Sequence, residues 1–160
     1  MCAWIVTALS SCGRDAARQA LAARADSLLI SVRCVRTVTS LISDNFLVPG
    51  QKKTHFRIEY INETWPDTIN SAQALKLVNL KNLGVGFDKL VNTTKELKGL
   101  SEKQLTQLSK LNREINTGAV STEDLLRSLT FEGKCADTLN RVLDTLVKRS
   151  IELSCKSQAY

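Results

Sequence analysis

The sequence predicts a mainly α protein: an irregular helical bundle of four to five helices with one short extended segment near residues 54–61. Three observations carry this prediction. Apolar side chains recur at helical spacing through residues 100–155, with start and stop signals in register. Only two Pro and seven Gly occur, and aromatic residues make up 5% of the chain, which suits a Leu-rich helical core better than a sandwich or barrel. Clear period-two alternation occurs only from Thr54 to Ile61.

Residues 1–50 carry five Arg, no Lys and three Asp, whereas Lys predominates afterwards, so this segment stands apart in composition. Its first reading is a helix packed on the bundle through Leu28, Val32, Val35, Ile42 and Phe46. The second is a mitochondrial targeting extension, since the stretch is rich in Arg, Ser and Ala and poor in acids. Against it, the arginines share a helical arc with Leu21, Leu28 and Val32. Leu9-Ser10-Ser11-Cys12 resembles a lipoprotein lipobox and ranks third, because the stretch before it is short and carries no basic residue. Val48-Pro49-Gly50-Gln51-Lys52-Lys53 reads as a turn or linker. The domain organisation expected is therefore an Arg-only segment over 1–50, a linker or short strand over 51–66, and a helical bundle domain over 67–160.

In the alternating segment Phe56, Ile58 and Tyr60 point one way and His55, Arg57 and Glu59 the other. A strand needs a backbone partner, which residues 28–38 could supply; the alternative is an extended linker lying on the helices. Trp65-Pro66 ends the segment, and Asp67 or Ser71 is placed to cap the next helix. That helix runs to about Leu83 with Ile69, Ala72, Leu75, Val78 and Leu83 on its core side, and Gly84 is its stop. Phe87, Leu90, Val91 and Leu97 define another, ended at Gly99.

Ser101 and Gln104 then form a capping box, with Leu100 and Leu105 as a hydrophobic staple, before Leu105, Leu108, Leu111 and Ile115. Asn116-Thr117-Gly118 is a left-handed stop. Ser121 caps the next helix, with Asp124 at its third position, Val120 and Leu125 as staple, and Glu123 and Asp124 complementing the helix dipole. The final helix, about Gly133 to Cys155, buries a broad face through Leu139, Val142, Leu143, Leu146, Val147, Ile151 and Leu153. That face is wider than a coiled-coil seam, and no heptad continues long enough to propose a rod.

Net charge is +6, with the two signs mixed along the chain. Cysteines 2, 12, 34, 135 and 155 contain no C-x-x-C pair, which removes the main signal for zinc or thioredoxin chemistry. On one helix Cys135 and Cys155 stand ~30 Å apart, too far to bridge. The thiols read as reduced, placing the chain inside the cell, in the cytoplasm first and the mitochondrion as alternative. No uncharged apolar run approaches the ~18 residues that span a bilayer.

His55 is the single histidine and lacks spaced ligands, so it reads as a surface residue. No G-x-S-x-G, H-E-x-x-H or P-loop occurs, and Gly84-Val85-Gly86 reads as a helix–helix turn. Glu123-Asp124 is explained by the helix dipole, and would repel phosphates in a helix-turn-helix reading. Lys52-Lys53 with Arg57, and Lys89, Lys95 and Lys98, read as solvated faces. The expectation is therefore no catalytic residue, no cofactor and no metal. The function expected is a non-catalytic helical protein–protein interaction module, an adaptor or subunit of a larger assembly, with a protein partner. A nucleic-acid-associated basic protein is the alternative, favoured by a pI near 9.2, and an enzyme of another type is third. Leu139, Leu143 and Leu146 are assigned to the core of the last helix, and Val147 and Ile151, nearer its polar edge, to partner binding.

Overall fold

The structure, a computed structural model, describes the backbone of residues 2–159 and the side chains of residues 15–159. Cys2, the Leu9–Cys12 motif and Arg14 lie outside the described side chains. The elements are α1 (Cys2–Ile42), a π-helical segment (Ser43–Leu47), α2 (Val48–Thr64), α3 (Ser71–Thr117) and α4 (Thr122–Gln158). Helix makes up 92% of the chain, and no strand occurs among the described residues. Ile42 and Val48, flanking the π segment, keep right-handed helical dihedrals, so α1, the π segment and α2 form one uninterrupted helical path. The described residues thus form three continuous helices rather than the four to five expected.

Several expectations are corrected by this continuity. Residues 54–61 are not extended: they lie inside α2, where the buried positions are Thr54 and Ile61. Those positions are two helical turns apart, while Phe56 and Tyr60 are 68% and 59% exposed. The 48–53 turn is helical too. In α3 the chain passes through Gly84, Gly99 and Ser101 without a break, and in α4 through Gly133. An interior glycine costs about 1 kcal/mol. Each buried Leu or Phe around those glycines returns about 1.5–3 kcal/mol, so the seam wins. Ser101 does not cap because it lies inside the continuous α3, where its side chain is fully buried. Leu75 and Val78 are exposed; the core side of that stretch is Leu80, Leu83 and Phe87.

The buried positions also correct the reading that no heptad persists. In α3 an unbroken alternation of steps of three and four runs through Leu80, Leu83, Phe87, Leu90, Thr94, Leu97, Ser101, Gln104, Leu108, Leu111 and Ile115, with Gly84 and Val91 buried beside it. In α4 the same rhythm runs through Leu125, Leu129, Ala136, Leu139, Leu143, Leu146 and Ser150, with half-buried Glu132 filling its one gap. Polar residues at Thr94, Ser101 and Gln104 hide the repeat in the sequence. The hydroxyls of this seam turn back on their own helices: Thr94 donates to the Val91 carbonyl (2.6 Å), Thr54 to Gly50 (2.8 Å) and Ser150 to Leu146 (2.7 Å).

The helix ends follow the turn chemistry. Trp65 is extended before Pro66 and closes α2. Asn70, not Asp67 or Ser71, starts α3: its side chain accepts from the Gln73 N–H (2.8 Å) and Gln73 accepts from the Asn70 N–H (3.0 Å). Gly118 takes φ +69° and ends α3 as expected. Ser121 caps α4 by accepting from the Asp124 N–H (3.3 Å).

Two compact units result, residues 1–35 with 100–140, and residues 36–99 with 141–160. In the first, α1 buries Leu21, Ala25, Val32 and Val35 and meets α4 where Asn140 Nδ2 donates to Ser31 Oγ (3.2 Å). Gln104 joins α3 to α4 by donating to the Glu132 carbonyl (2.7 Å), while its buried Oε1 has no partner. In the second, antiparallel packing pairs Thr94 with Ser43 (3.4 Å) and Phe87 with Phe46 (ring centroids 5.9 Å). Here α2 packs tightly on α3 at Gly50, where an added Cβ would lie 2.5 Å from the Phe87 ring. Gly84 is different, with its nearest neighbour, Thr54, at 3.6 Å.

Gly50→Ala and Gly84→Ala should therefore have opposite signs in thermal or denaturant melts. Phe87 is 1% exposed and has no room to yield, so Gly50→Ala should cost about 1–3 kcal/mol despite its better helix propensity. Gly84→Ala should gain up to about 1 kcal/mol.

Glu132 gives a pH-dependent prediction. Burial pushes its carboxyl above the usual range, against a smaller opposing effect of the Gln104 amide. A carboxyl that binds its proton more tightly when folded favours the native state below the ordinary carboxylate range, and loses that contribution as pH rises through the folded value. Glu132→Gln should match the parent near pH 4 and melt higher at pH 7. A constant gap across that interval would contradict the assignment.

Candidate interaction surfaces

The described surface is organised by what the seam leaves outside. Val147 and Ile151, the residues assigned to partner binding, lie together in the second unit. With Ile42, Phe46, Ser150 and Ser154 they line an apolar groove of about 220 Å³. Val147 is half-buried and Ile151 is 59% exposed, while Leu139, Leu143 and Leu146 are core. The π segment supplies Phe46, held from behind by Phe87. Ser150 spends its hydroxyl on the Leu146 carbonyl, and the rest of the lining is apolar apart from Ser154.

A second cleft in the same unit was not anticipated from sequence. Phe56, Arg57, Tyr60, Ile61, Trp65, Lys76 and Leu80 enclose about 260 Å³ where α2 ends and α3 begins. Buried Ile61 and Leu80 form its apolar floor, and Phe56, Tyr60 and Trp65 its aromatic walls. The missed signal was the four-residue spacing of Phe56 and Tyr60 just before Trp65-Pro66, which puts both rings on one helical face. An alternating reading of the same residues concealed it.

His55 is exposed, as its isolation in the sequence suggests, and its Nε2 lies 3.0 Å from Asp88 Oδ1. The Gln51 amide also donates to that oxygen (2.7 Å). These two contacts, Gln51 foremost, hold the Asp88 carboxyl below its usual range. The arrangement ties α2 to α3; it presents no Ser, Thr or Cys nucleophile to the imidazole among the hydrogen bonds that His55 makes. In the first unit, a polar cleft of about 410 Å³ between α3 and α4 is edged by charges paired along their own helices, Lys110 with Glu114 and Arg127 with Asp124.

Cys34, Cys135 and Cys155 are free thiols, and burial with a contribution from Glu132 raises the Cys135 thiol above its ordinary range. That keeps it protonated and a poor nucleophile. No cluster of three His, Cys, Asp or Glu side chains suited to a metal occurs among the described residues. No helix among them is long and apolar enough to cross a membrane. Charge is unevenly divided: the second unit holds thirteen Lys and Arg against eight Asp and Glu, and the first unit nine against eight. No family model matches the chain, and neither a curated protein nor a solved structure is significantly similar to it.

Proposed function

We propose that the chain is a non-catalytic helical interaction module that docks an apolar helix face of a protein partner. The observation that carries this reading is the Ile42–Phe46–Val147–Ile151 groove. It is apolar, open to solvent and lined by no charged residue. Such a groove fits a helix presenting side chains at i, i+3, i+4 and i+7. Exposed Ile151 is contiguous there with Ile42, Phe46 and Val147, and an apolar patch of that kind, unlike a single exposed side chain, marks an interaction site. A role as an adaptor or as a subunit of a larger assembly follows from the same reading.

The test separates docking from folding. Ile151→Asp places a charge at the exposed rim, and should shift stability by no more than about 0.5 kcal/mol, as surface substitutions do. It should nevertheless abolish recovery of the proteins that co-purify with the parent from its native cells. Leu143→Ala, 8% exposed in the parent, should instead cost about 2–5 kcal/mol. Co-purification that is identical for parent and Ile151→Asp would overturn the proposal.

A further inference from the structure

A second, chemically different surface reaches beyond that groove: we propose that the cleft lined by Phe56, Tyr60, Trp65, Arg57 and Lys76 binds an acidic peptide segment carrying one apolar anchor side chain. The shape of the cleft argues for the anchor. Its floor is Ile61 and Leu80, which are 7% and 1% exposed, and its walls are aromatic, so it is a partly open cleft of about 260 Å³ with an apolar base. Phe56 and Tyr60 each expose more than half of their surface, although both are large side chains that a helix of this unit could bury. Large, stiff aromatic walls around an apolar floor are the composition of a binding hot spot.

The charge of the cleft argues for the acids. The two charged residues that line it, Arg57 and Lys76, are both cations, and no carboxylate lines it. Lys53 continues the positive edge one turn back along α2, and the unit carries an excess of five basic side chains. A segment with carboxylates beside its anchor would therefore be steered to the cleft and held in register there.

A nucleic-acid strand could use the same cations and rings. It would need a basic track with stacking faces along it. Here the rings and cations converge on one cleft with an apolar floor, rather than following one another along a track. The peptide reading is the one these features favour.

The π segment creates the cleft. Had the steps of three and four continued unbroken from Thr39 and Ile42, they would have carried Lys53, Phe56 and Tyr60 into the seam. The five-residue step from Ile42 to Leu47 turns these side chains outward instead.

The experiment pans a phage-displayed library of random short peptides on the full-length protein, with the Tyr60→Ala/Lys76→Glu double variant as counter-target. The expected outcome is a consensus with two or more Asp or Glu around one aromatic or Leu residue. As a synthetic peptide, it should bind the parent at least about tenfold more tightly than the variant. In a Trp4→Phe background, where Trp65 is the only tryptophan, it should shift the emission of that residue, and binding should weaken as salt rises. Both altered side chains are exposed, so the variant should melt like the parent. No consensus, a consensus without acids, equal binding to the variant, or displacement of the peptide by oligo-dT would each overturn the proposal. None of these results depends on Ile151, so failure here is distinct from failure of the groove reading.

Discussion

The constraint on which the rest depends is phase. Each helix must keep one narrow seam turned toward its neighbours over many turns, and a single misplaced residue rotates everything beyond it by about 100°. In α3 and α4 the sequence meets this with steps of three and four. Along α1 and α2 it does so only because the π segment absorbs one surplus residue: the Val48 N–H bonds the Ser43 carbonyl, five residues back. The seam then resumes at Leu47, Gly50, Thr54 and Ile61. Pro49 sits just beyond, where its ring would crowd the carbonyl four residues before it, and a widened turn gives that ring room.

The proposed docking surfaces follow from the same geometry. Residues that satisfy the seam disappear into the core, and apolar residues that do not are left on the surface. Ile151 lies one helical position from the seam residue Ser150, and Phe56 lies between the seam residues Thr54 and Ile61. Polar seam residues complete the arrangement. Gln104, Ser101 and Thr94 add little apolar burial, but Gln104 makes a specific bond to the Glu132 carbonyl that a slipped register would lose. Register, once held, fixes which apolar side chains face outward.

Much of the local grammar was readable in the residues. The Ser121 start, the Gly118 stop, the extended Trp65 before Pro66 and the core placement of Leu139, Leu143 and Leu146 all rest on short-range physics that the fold leaves intact. What was illegible depends on competition. Gly84, Gly99 and Ser101 carry true stop and start signals, and tertiary burial of the flanking leucines outweighs them. The heptad was hidden because Thr94, Ser101 and Gln104 do not look like core residues. The 54–61 segment misled for a related reason: alternation over so few residues also fits a helix whose buried positions, Thr54 and Ile61, lie at its two ends. Val147 and Ile151 could be singled out by their place at the edge of the face. Their neighbours Ile42 and Phe46 come from a distant part of the chain and could not.

The most direct measurement of the phase account is a pair of single-residue deletions in a Pro49→Ala background, followed by thermal melts. Asn45 and Lys53 are both exposed, so side-chain loss alone does not distinguish them. Removing Asn45 deletes the surplus residue, converts the π turn to an α turn and leaves Leu47, Thr54 and Ile61 in the seam. Removing Lys53 leaves the π turn in place and rotates His55 and Asn62 into the positions of Thr54 and Ile61. The account predicts that the Asn45 deletion melts within about 2 °C of its background or above it. It predicts that the Lys53 deletion melts lower by about 5 °C or more, given the apolar burial lost at Ile61. Equal destabilisation by the two deletions would contradict it.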